Sequence, residues 1–208
     1  LGTQPFYEPV EENPILPLYY EDQKKYGFHL QLYFLNKRFK MIKDALKDNN
    51  NILDRFIGED KLFAYRNYKN GNMLKEEWDM YSELLDNMME DIDGMPKKSP
   101  DLLIYLETDF ETVVSRIKKR GRDYEQFDES TQEGRELRDY YYDIWSNYDA
   151  WYEDYDWSDK IKVDLVTNDL STPEGRKAVL QIIDDALLER GLITKDKYHV
   201  LMSKLEVM

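Results

Sequence analysis

Arg116-Ile117-Lys118-Lys119-Arg120-Gly121-Arg122 is an abrupt basic island in a chain whose formal net charge is −14. It closes a helical pattern that follows the apolar run Leu102-Leu103-Ile104-Tyr105-Leu106. On a helix, Arg116 and Arg120 share one face, and Gly121 lets the chain turn before Arg122. Three guanidiniums converging past the carboxyl end of a strand would clamp phosphate, because their planar forks match its oxygens. Cations at a helix C-terminus also offset the macrodipole with no ligand at all. The island by itself fits either role.

Acids and amides at other segment ends extend the chemistry. Glu8 follows the first strand-like run, and Pro9 biases it toward an extended backbone that aims the carboxylate off the strand end. There it could accept a proton from a hydroxyl nucleophile. In the plainer reading, Glu8 belongs to an exposed acidic loop with Glu11 and Glu12. Asp54-Arg55 ends a second run, as a structural ion pair or with Arg55 reaching a phosphate. Gln31 and Arg38 stand two helical turns apart, hence on one face. The Gln31 amide pairs a donor with an acceptor and could read a nucleobase edge, with Arg38 and Asp60 supplying a complementary donor and acceptor. His29 and His199 are too few and too distant for a metal site, so no metal-binding residue is expected. The sequence holds no Gly-x-Ser-x-Gly elbow and no Gly-rich dinucleotide fingerprint.

The elements that must position these groups are strands and helices in alternation. Gln4–Tyr7, Asn51–Leu53 and Leu102–Leu106 are short apolar runs of the buried parallel type, and Ile161–Val166 alternates with β-branched residues. Helical periodicity spans Leu16 to Lys47 through Phe28, Tyr33, Leu35, Phe39, Ile42 and Leu46. A second pattern, Leu74 to Ile92, carries Trp78, Tyr81, Leu85, Met88 and Met89 on a stripe and predicts a helix that meets another helix. Tyr141, Trp145, Tyr148, Tyr152 and Tyr155 form a further stripe, read as core or subunit interface. The alternation predicts an α/β fold with a parallel sheet flanked by helices. Ligands in such sheets lie outside the carboxyl ends of the strands, so Glu8, Asp54-Arg55 and the basic island are expected on one rim. Asn49–Asn51, Lys69–Asn72 and Gly94–Pro100 read as loops, Gln126–Gly134 as a mobile flap, and Pro173 as a helix start. No internal repeat is evident.

Composition narrows the classes. A length of 208 residues, 41% hydrophobic and 14% aromatic content suit a folded domain with a proper core. The acidic balance argues against nucleic-acid polymers and anionic membranes, although a small polyanion would meet the local island instead. The absence of cysteine excludes disulfides and thiolate metal sites and suits the cytoplasm. No apolar run is long enough to span a bilayer.

In order along the chain, Glu8-Pro9-Val10, the helix with Phe28-His29-Leu30-Gln31-Leu32-Tyr33, Asp54-Arg55, Asp60, and Arg116 through Arg122 with Glu125 resemble the deoxynucleoside kinase family. The resemblance is nearest to its bacterial deoxyadenosine/deoxyguanosine kinase branch and covers Leu1 to about Leu192, with 193–208 as a C-terminal tail. It implies a P-loop kinase-like fold, ATP as donor with Mg2+, and 5′-phosphorylation of a purine deoxynucleoside in nucleotide salvage by a homodimer. Residue by residue, it makes Glu8 the general base and sets Arg55 near the 5′ end. Gln31, Arg38 and Asp60 would read the base, while Tyr20 and Glu125 would hold the 3′-hydroxyl. Arg116, Arg120 and Arg122 would close over the donor triphosphate, and Asn168-Asp169-Leu170 would bind its adenine.

Two departures stand out. The family motif at Asp54-Arg55 continues with Ser, where this chain has Phe56. No Gly-x-x-x-x-Gly-Lys-Ser/Thr occurs; Glu174-Gly175-Arg176-Lys177 lacks the spacing and the hydroxyl. A chain opening at Leu1 without the first strand and phosphate loop is expected to be a piece of a kinase. The alternatives are a non-catalytic nucleoside-binding or assembly protein, or a deoxynucleoside monophosphate kinase using Lys24, Lys25, Lys37 or Lys40 for the acceptor phosphate.

Overall fold

Short parallel strand pairs organise the chain. In a computed structural model, residues 2–8, 10, 13–47, 51–93 and 99–207 are described, with side chains omitted at 91–93 and 207. Strand β1 (Gln4–Phe6) pairs in parallel with β2 (Asn51–Leu53), Gln4 facing Asn51 and Phe6 facing Leu53. Strand β3 (Leu102–Glu107) pairs in parallel with β4 (Asp159–Asp164), Leu102 facing Asp159 and Glu107 facing Asp164. The helices are α1 (Leu16–Glu21), α2 (Gln23–Ala45), α3 (Ile57–Lys69), α4 (Lys75–Asp93), α5 (Phe110–Arg120), α6 (Gln132–Asp154), α7 (Pro173–Glu189) and α8 (Lys195–Val207). A 3-10 turn, Asp123–Glu125, lies between α5 and α6.

The chain divides into two compact units. Residues 2–98 with 117–153 make the first, and 99–116 with 154–208 the second. In the first, α2 supplies the central face: Leu30, Leu35 and Ile42 are buried, as are Tyr19, Ile57, Ala64, Tyr81 and Leu85. The Tyr81 and Leu85 positions of the α4 stripe thus serve the core of their own unit, where α4 packs on α2 and α3. In the second, Val163, Leu165 and Val179 form a core against Ile104, Ile161, Leu170 and Ile183. The residues after Leu192 continue into α8, which buries Leu201 and Leu205 and packs on α7.

Three predicted boundaries move for local reasons. The helical pattern from Leu16 to Lys47 is two helices, because Asp22 takes an extended backbone (φ −150°, ψ 90°) and its carboxylate caps α2 by accepting from the Lys25 N–H. Strand β4 is Asp159–Asp164 rather than Ile161–Val166, since the Asp164 carboxylate accepts from the Val166 N–H at 2.8 Å and from the Thr167 hydroxyl, forming a turn. The first strand stops at Phe6, leaving Tyr7 exposed. The loop expected at Lys69–Asn72 is present, whereas residues 49, 50 and 94–98 of the other two loops lie outside the described residues. Among the described residues no helix is long and apolar enough to cross a membrane.

A short repeat that sequence reading passed over emerges at two helix starts. Asp128-Glu-Ser-Thr-Gln-Glu-Gly-Arg135 and Asp169-Leu-Ser-Thr-Pro-Glu-Gly-Arg176 build the same cap, one in each unit. Thr131 and Thr172 each accept from the glycine N–H three residues on, at 3.0 Å, and donate to the Asp carbonyl at 2.9 Å. Arg135 and Arg176 then donate back to two loop carbonyls each. Gly134 and Gly175 are required by close approach: a Cβ there would lie 1.9 Å from the Asp128 or Asp169 carbonyl oxygen. Gly175→Ala should therefore cost about 2–3 kcal/mol, and Thr172→Ala about 1 kcal/mol, read from denaturant midpoints. Equal midpoints for Gly175→Ala and the parent would contradict this packing.

Candidate active site

Charged side chains from four segments meet past the carboxyl ends of β1 and β2. Glu8 lies two residues beyond β1, Asp54-Arg55 directly beyond β2, Arg38 on α2 and Asp60 in the first turn of α3. The Arg38 guanidinium, 1% exposed, donates to Asp60 Oδ2 at 2.7 Å, to the Asp54 carbonyl at 3.0 Å and to Glu8 Oε1 at 2.7 Å. Arg55 places its Nε 3.6 Å from Glu8 and 3.5 Å from Glu59, with the guanidinium 4.6 Å above the Phe63 ring. Its backbone φ is +70°, the only positive value at a non-glycine among the described residues. A left-handed arginine costs about 1–2 kcal/mol, so its surroundings must hold it there.

Phe56, which stands where the resemblance expects Ser, occupies the N-cap position of α3 in an extended backbone and gives no side-chain cap. Its ring is buried. The first turn of α3 is acidic instead, with Glu59 and Asp60 near the positive helix end.

Two acids sharing one buried cation divide in proton affinity. Burial raises the pKa of Glu8, but Arg55, Arg38 and Arg122 together outweigh it, leaving Glu8 below the ordinary carboxylate value. Burial pushes Asp60 up to about 6, only partly countered by Arg38 and with Glu59 adding to the rise. Glu8 is therefore a carboxylate across the neutral range, while Asp60 changes charge just below neutrality.

A second cluster surrounds Glu125, whose side chain is 5% exposed. Arg120 donates to Glu125 Oε2 at 2.8 and 2.6 Å, and Arg122 to Oε1 at 3.1 Å. Tyr141 donates to the Glu125 carbonyl at 3.2 Å. Burial raises the Tyr20 pKa well above its ordinary value, with Tyr140, Tyr141 and Glu125 adding to the rise, so the phenol stays protonated. The helix over Arg116 and Arg120 and the turn at Gly121 (φ +71°) are as the sequence predicts.

The first unit thus contains Glu8, Tyr20, Gln31, Arg38, Arg55, Asp60, Arg120, Arg122 and Glu125. Gln31 is buried, and its amide makes no hydrogen bond to another described residue. Arg116, Asn168, Asp169 and Leu170 belong to the second unit. There Leu170 packs on the core, the Asn168 amide donates to the Asp164 carbonyl at 2.8 Å, and Asp169 opens the α7 cap. Pro9, beside Glu8, lies outside the described residues, as do Glu11 and Glu12. Lys37 and Lys40 line a separate open groove of about 330 Å3 with Pro5, Phe6, Tyr7, Met41 and Asp44, away from the Arg38 face of α2. Glu59 was not singled out from the sequence, and Tyr148 was read only as part of the aromatic core or interface stripe. Glu59 stands four residues after Arg55, but Arg55 precedes α3 in a left-handed backbone, so no helical spacing signals their contact, and the donation from Tyr148 on α6 to Glu59 is purely tertiary.

Parallel strands under helices, with charged groups gathered past the carboxyl ends of one pair, define an α/β protein with a polar ligand site. A sequence model of the deoxynucleoside kinase family matches residues 1–188, and the chain belongs to that family. It is 49% identical over 197 residues to a deoxyguanosine kinase of Lactobacillus johnsonii, covering 94% of this chain and 86% of that protein. A deoxyadenosine kinase of Lactobacillus acidophilus is 46% identical over 196 residues, covering 92% and 87%. The solved structure of M. mycoides deoxyadenosine kinase with bound dCTP superimposes with a TM-score of 0.66 at 30% identity, covering 100% of this chain and 88% of that one. Its dATP-bound form gives 0.64 at 33% identity, covering 82% and 88%.

The raised Asp60 pKa gives a pH signature. An acid raised on folding favours the native state below its unfolded value of 3.8, and that advantage disappears as pH climbs through about 6. If the ionised form accepts from substrate, deoxynucleoside affinity should fall as pH drops below about 6. Asp60→Asn should flatten that break in calorimetric titrations between mildly acidic and neutral pH. A break unchanged in Asp60→Asn would assign it elsewhere.

Proposed function

We propose that this protein transfers the γ-phosphoryl group of ATP to the 5′-hydroxyl of a purine deoxynucleoside, deoxyguanosine or deoxyadenosine, in nucleotide salvage. The observation that carries the reading is the Glu8–Arg38–Asp60 assembly with Arg55 beside it, in a chain whose relatives are named for these substrates. Glu8 orients the 5′-hydroxyl and takes its proton late, since phosphoryl transfer runs through a loose, highly charged transition state. Arg55 faces the charge that develops there. Arg38 donates in three directions within the protein, so base reading falls to Gln31 and to Asp60 Oδ1, which makes no hydrogen bond to a described residue. An ionised Asp60 accepts from an exocyclic amino group, which adenine and guanine both carry. Tyr20 and Glu125 hold the 3′-hydroxyl.

The donor set suits a triphosphate. Arg116 and Arg120 lie one turn apart on α5, and Arg120 and Arg122 are both gathered on one carboxylate that donor phosphates would replace. Asn168-Asp169-Leu170 would flank the adenine. ATP supplies the transferable phosphoryl group. Among the described residues no group of three or more acids or histidines could hold a metal; Mg2+ would arrive on the donor's phosphates. Salvage in the cytoplasm is consistent with a chain lacking cysteine. The protein acts as a homodimer through the face of α4 on which Met80 is exposed and Leu84 and Met88 are half-buried at four-residue steps.

Calorimetry and transfer of labelled phosphate from ATP test the reading together. Deoxyguanosine or deoxyadenosine should bind and be phosphorylated by the intact enzyme. Glu8→Gln should keep deoxynucleoside affinity within about twofold while lowering kcat about 100-fold or more. Unchanged turnover in Glu8→Gln would remove that residue from the role, and binding of neither purine would remove the substrate assignment.

A further inference from the structure

We propose that Glu59 and Tyr148 are positioning residues that hold the Arg55 guanidinium midway between two carboxylates, free to meet the transferring phosphoryl group. The proposal rests on the reading that Arg55 serves the reacting 5′ end. Arg55 is not a closed ion pair. Its Nε stands 3.6 Å from Glu8 and 3.5 Å from Glu59, nearly equidistant and hydrogen-bonded to neither, and its side chain is 32% exposed. The Glu59 side chain is only 10% exposed and is fixed from behind by the Tyr148 phenol. Burial raises the Tyr148 pKa, Arg55 opposes and Glu59 adds to the rise, so the phenol remains a donor. Phe63 forms the floor, 4.6 Å under the guanidinium and edge-to-face with Tyr148 at 6.2 Å between centroids.

The balance has a chemical consequence. A guanidinium drawn equally by two acids is left with donors facing outward, and the αL backbone at Arg55 sets where the side chain starts. Without the Glu59 charge, Arg55 would close on Glu8. That contact would withdraw the cation from the phosphoryl group and mask the base in one movement. Asp143, five residues before Tyr148, accepts from Arg66 of α3 and from Asn70 just past its end, so α6 is pinned to α3 on the Glu59 side. Tyr148 therefore holds a fixed station.

The test is steady-state kinetics and calorimetry on the intact enzyme carrying Glu59→Gln, Tyr148→Phe and Arg55→Ala, singly and combined. Glu59→Gln should lower kcat about tenfold, less than loss of a direct donor would, with deoxynucleoside Kd within about twofold. Tyr148→Phe, a milder change that decides the matter should Glu59→Gln not fold, should lower kcat by a smaller factor and add nothing to Glu59→Gln. Millimolar guanidinium should restore part of the turnover of Arg55→Ala but none in Arg55→Ala/Glu59→Gln, since the added cation needs the same carboxylate seat. Full turnover in Glu59→Gln or in Tyr148→Phe, purely additive losses, or equal rescue in both backgrounds would overturn the proposal while leaving Glu8 and the substrate class standing. Full turnover in Arg55→Ala would overturn the role of Arg55 and this proposal with it.

Discussion

A guanidinium excluded from water needs partners for its donors, and Arg38 gains its three only if distant parts of the chain arrive together. The Glu8 carboxylate, the Asp54 carbonyl and the Asp60 carboxylate all bond to it, so the ends of β1 and β2 and the first turn of α3 are fixed relative to α2. Removing one partner of such a buried pair costs about 3–5 kcal/mol, because the remaining charge is stranded. Strands of three residues could not fix this geometry by their ladders alone, since isolated two-stranded pairs are marginal in water. The ion cluster thus locks the first unit.

The same cluster separates the two acids functionally. Glu8 feels Arg38 together with Arg55 and Arg122, and its charge is stabilised although it is largely removed from solvent. Asp60 has its share of Arg38 and a smaller pull from Arg55, too little to offset its burial and the neighbouring Glu59. One cation shared by two carboxylates, with more positive charge around Glu8 than around Asp60, leaves Glu8 ionised across the neutral range and Asp60 changing charge near pH 6. Burial alone would have raised both.

Much of this was legible because periodicity reports burial. The parallel strands, the α2 and α4 faces and the turn at Gly121 follow from apolar spacing and glycine placement. Local polar competition was harder to see. A single Asp22 inside an otherwise regular helical pattern ends one helix and caps the next, and Asp164 ends a strand two residues early by binding the backbone ahead of it. The Asp128–Arg135 and Asp169–Arg176 caps share a sequence that reads as loop until the hydrogen bonds are drawn. Family resemblance assigned Glu8, Gln31, Arg38, Arg55 and Asp60 to one site, and ion pairs join all of them but Gln31. It could not give the contact of Arg38 with Glu8, thirty residues away, which turns an expected base reader toward the Glu8 carboxylate. The Glu59–Tyr148 contact was illegible for the same reason, since 89 residues separate them.

Phe56 shows how one substitution can be absorbed where strain is concentrated. A serine at the N-cap position would accept from the first turn of α3, worth about 1 kcal/mol. The left-handed backbone of Arg55, immediately before it, costs about 1–2 kcal/mol. Burying a phenylalanine ring returns about 2–3 kcal/mol, enough to offset both the missing cap and much of the strain. Glu59 and Asp60 supply negative charge near the helix start in place of the hydroxyl. The junction therefore trades a local hydrogen bond for apolar anchoring, and the anchored residue is the one that fixes where the Arg55 backbone turns. A side chain that looks like a break in the family motif thus anchors the residue next to Arg55, whose left-handed backbone would be costly on its own.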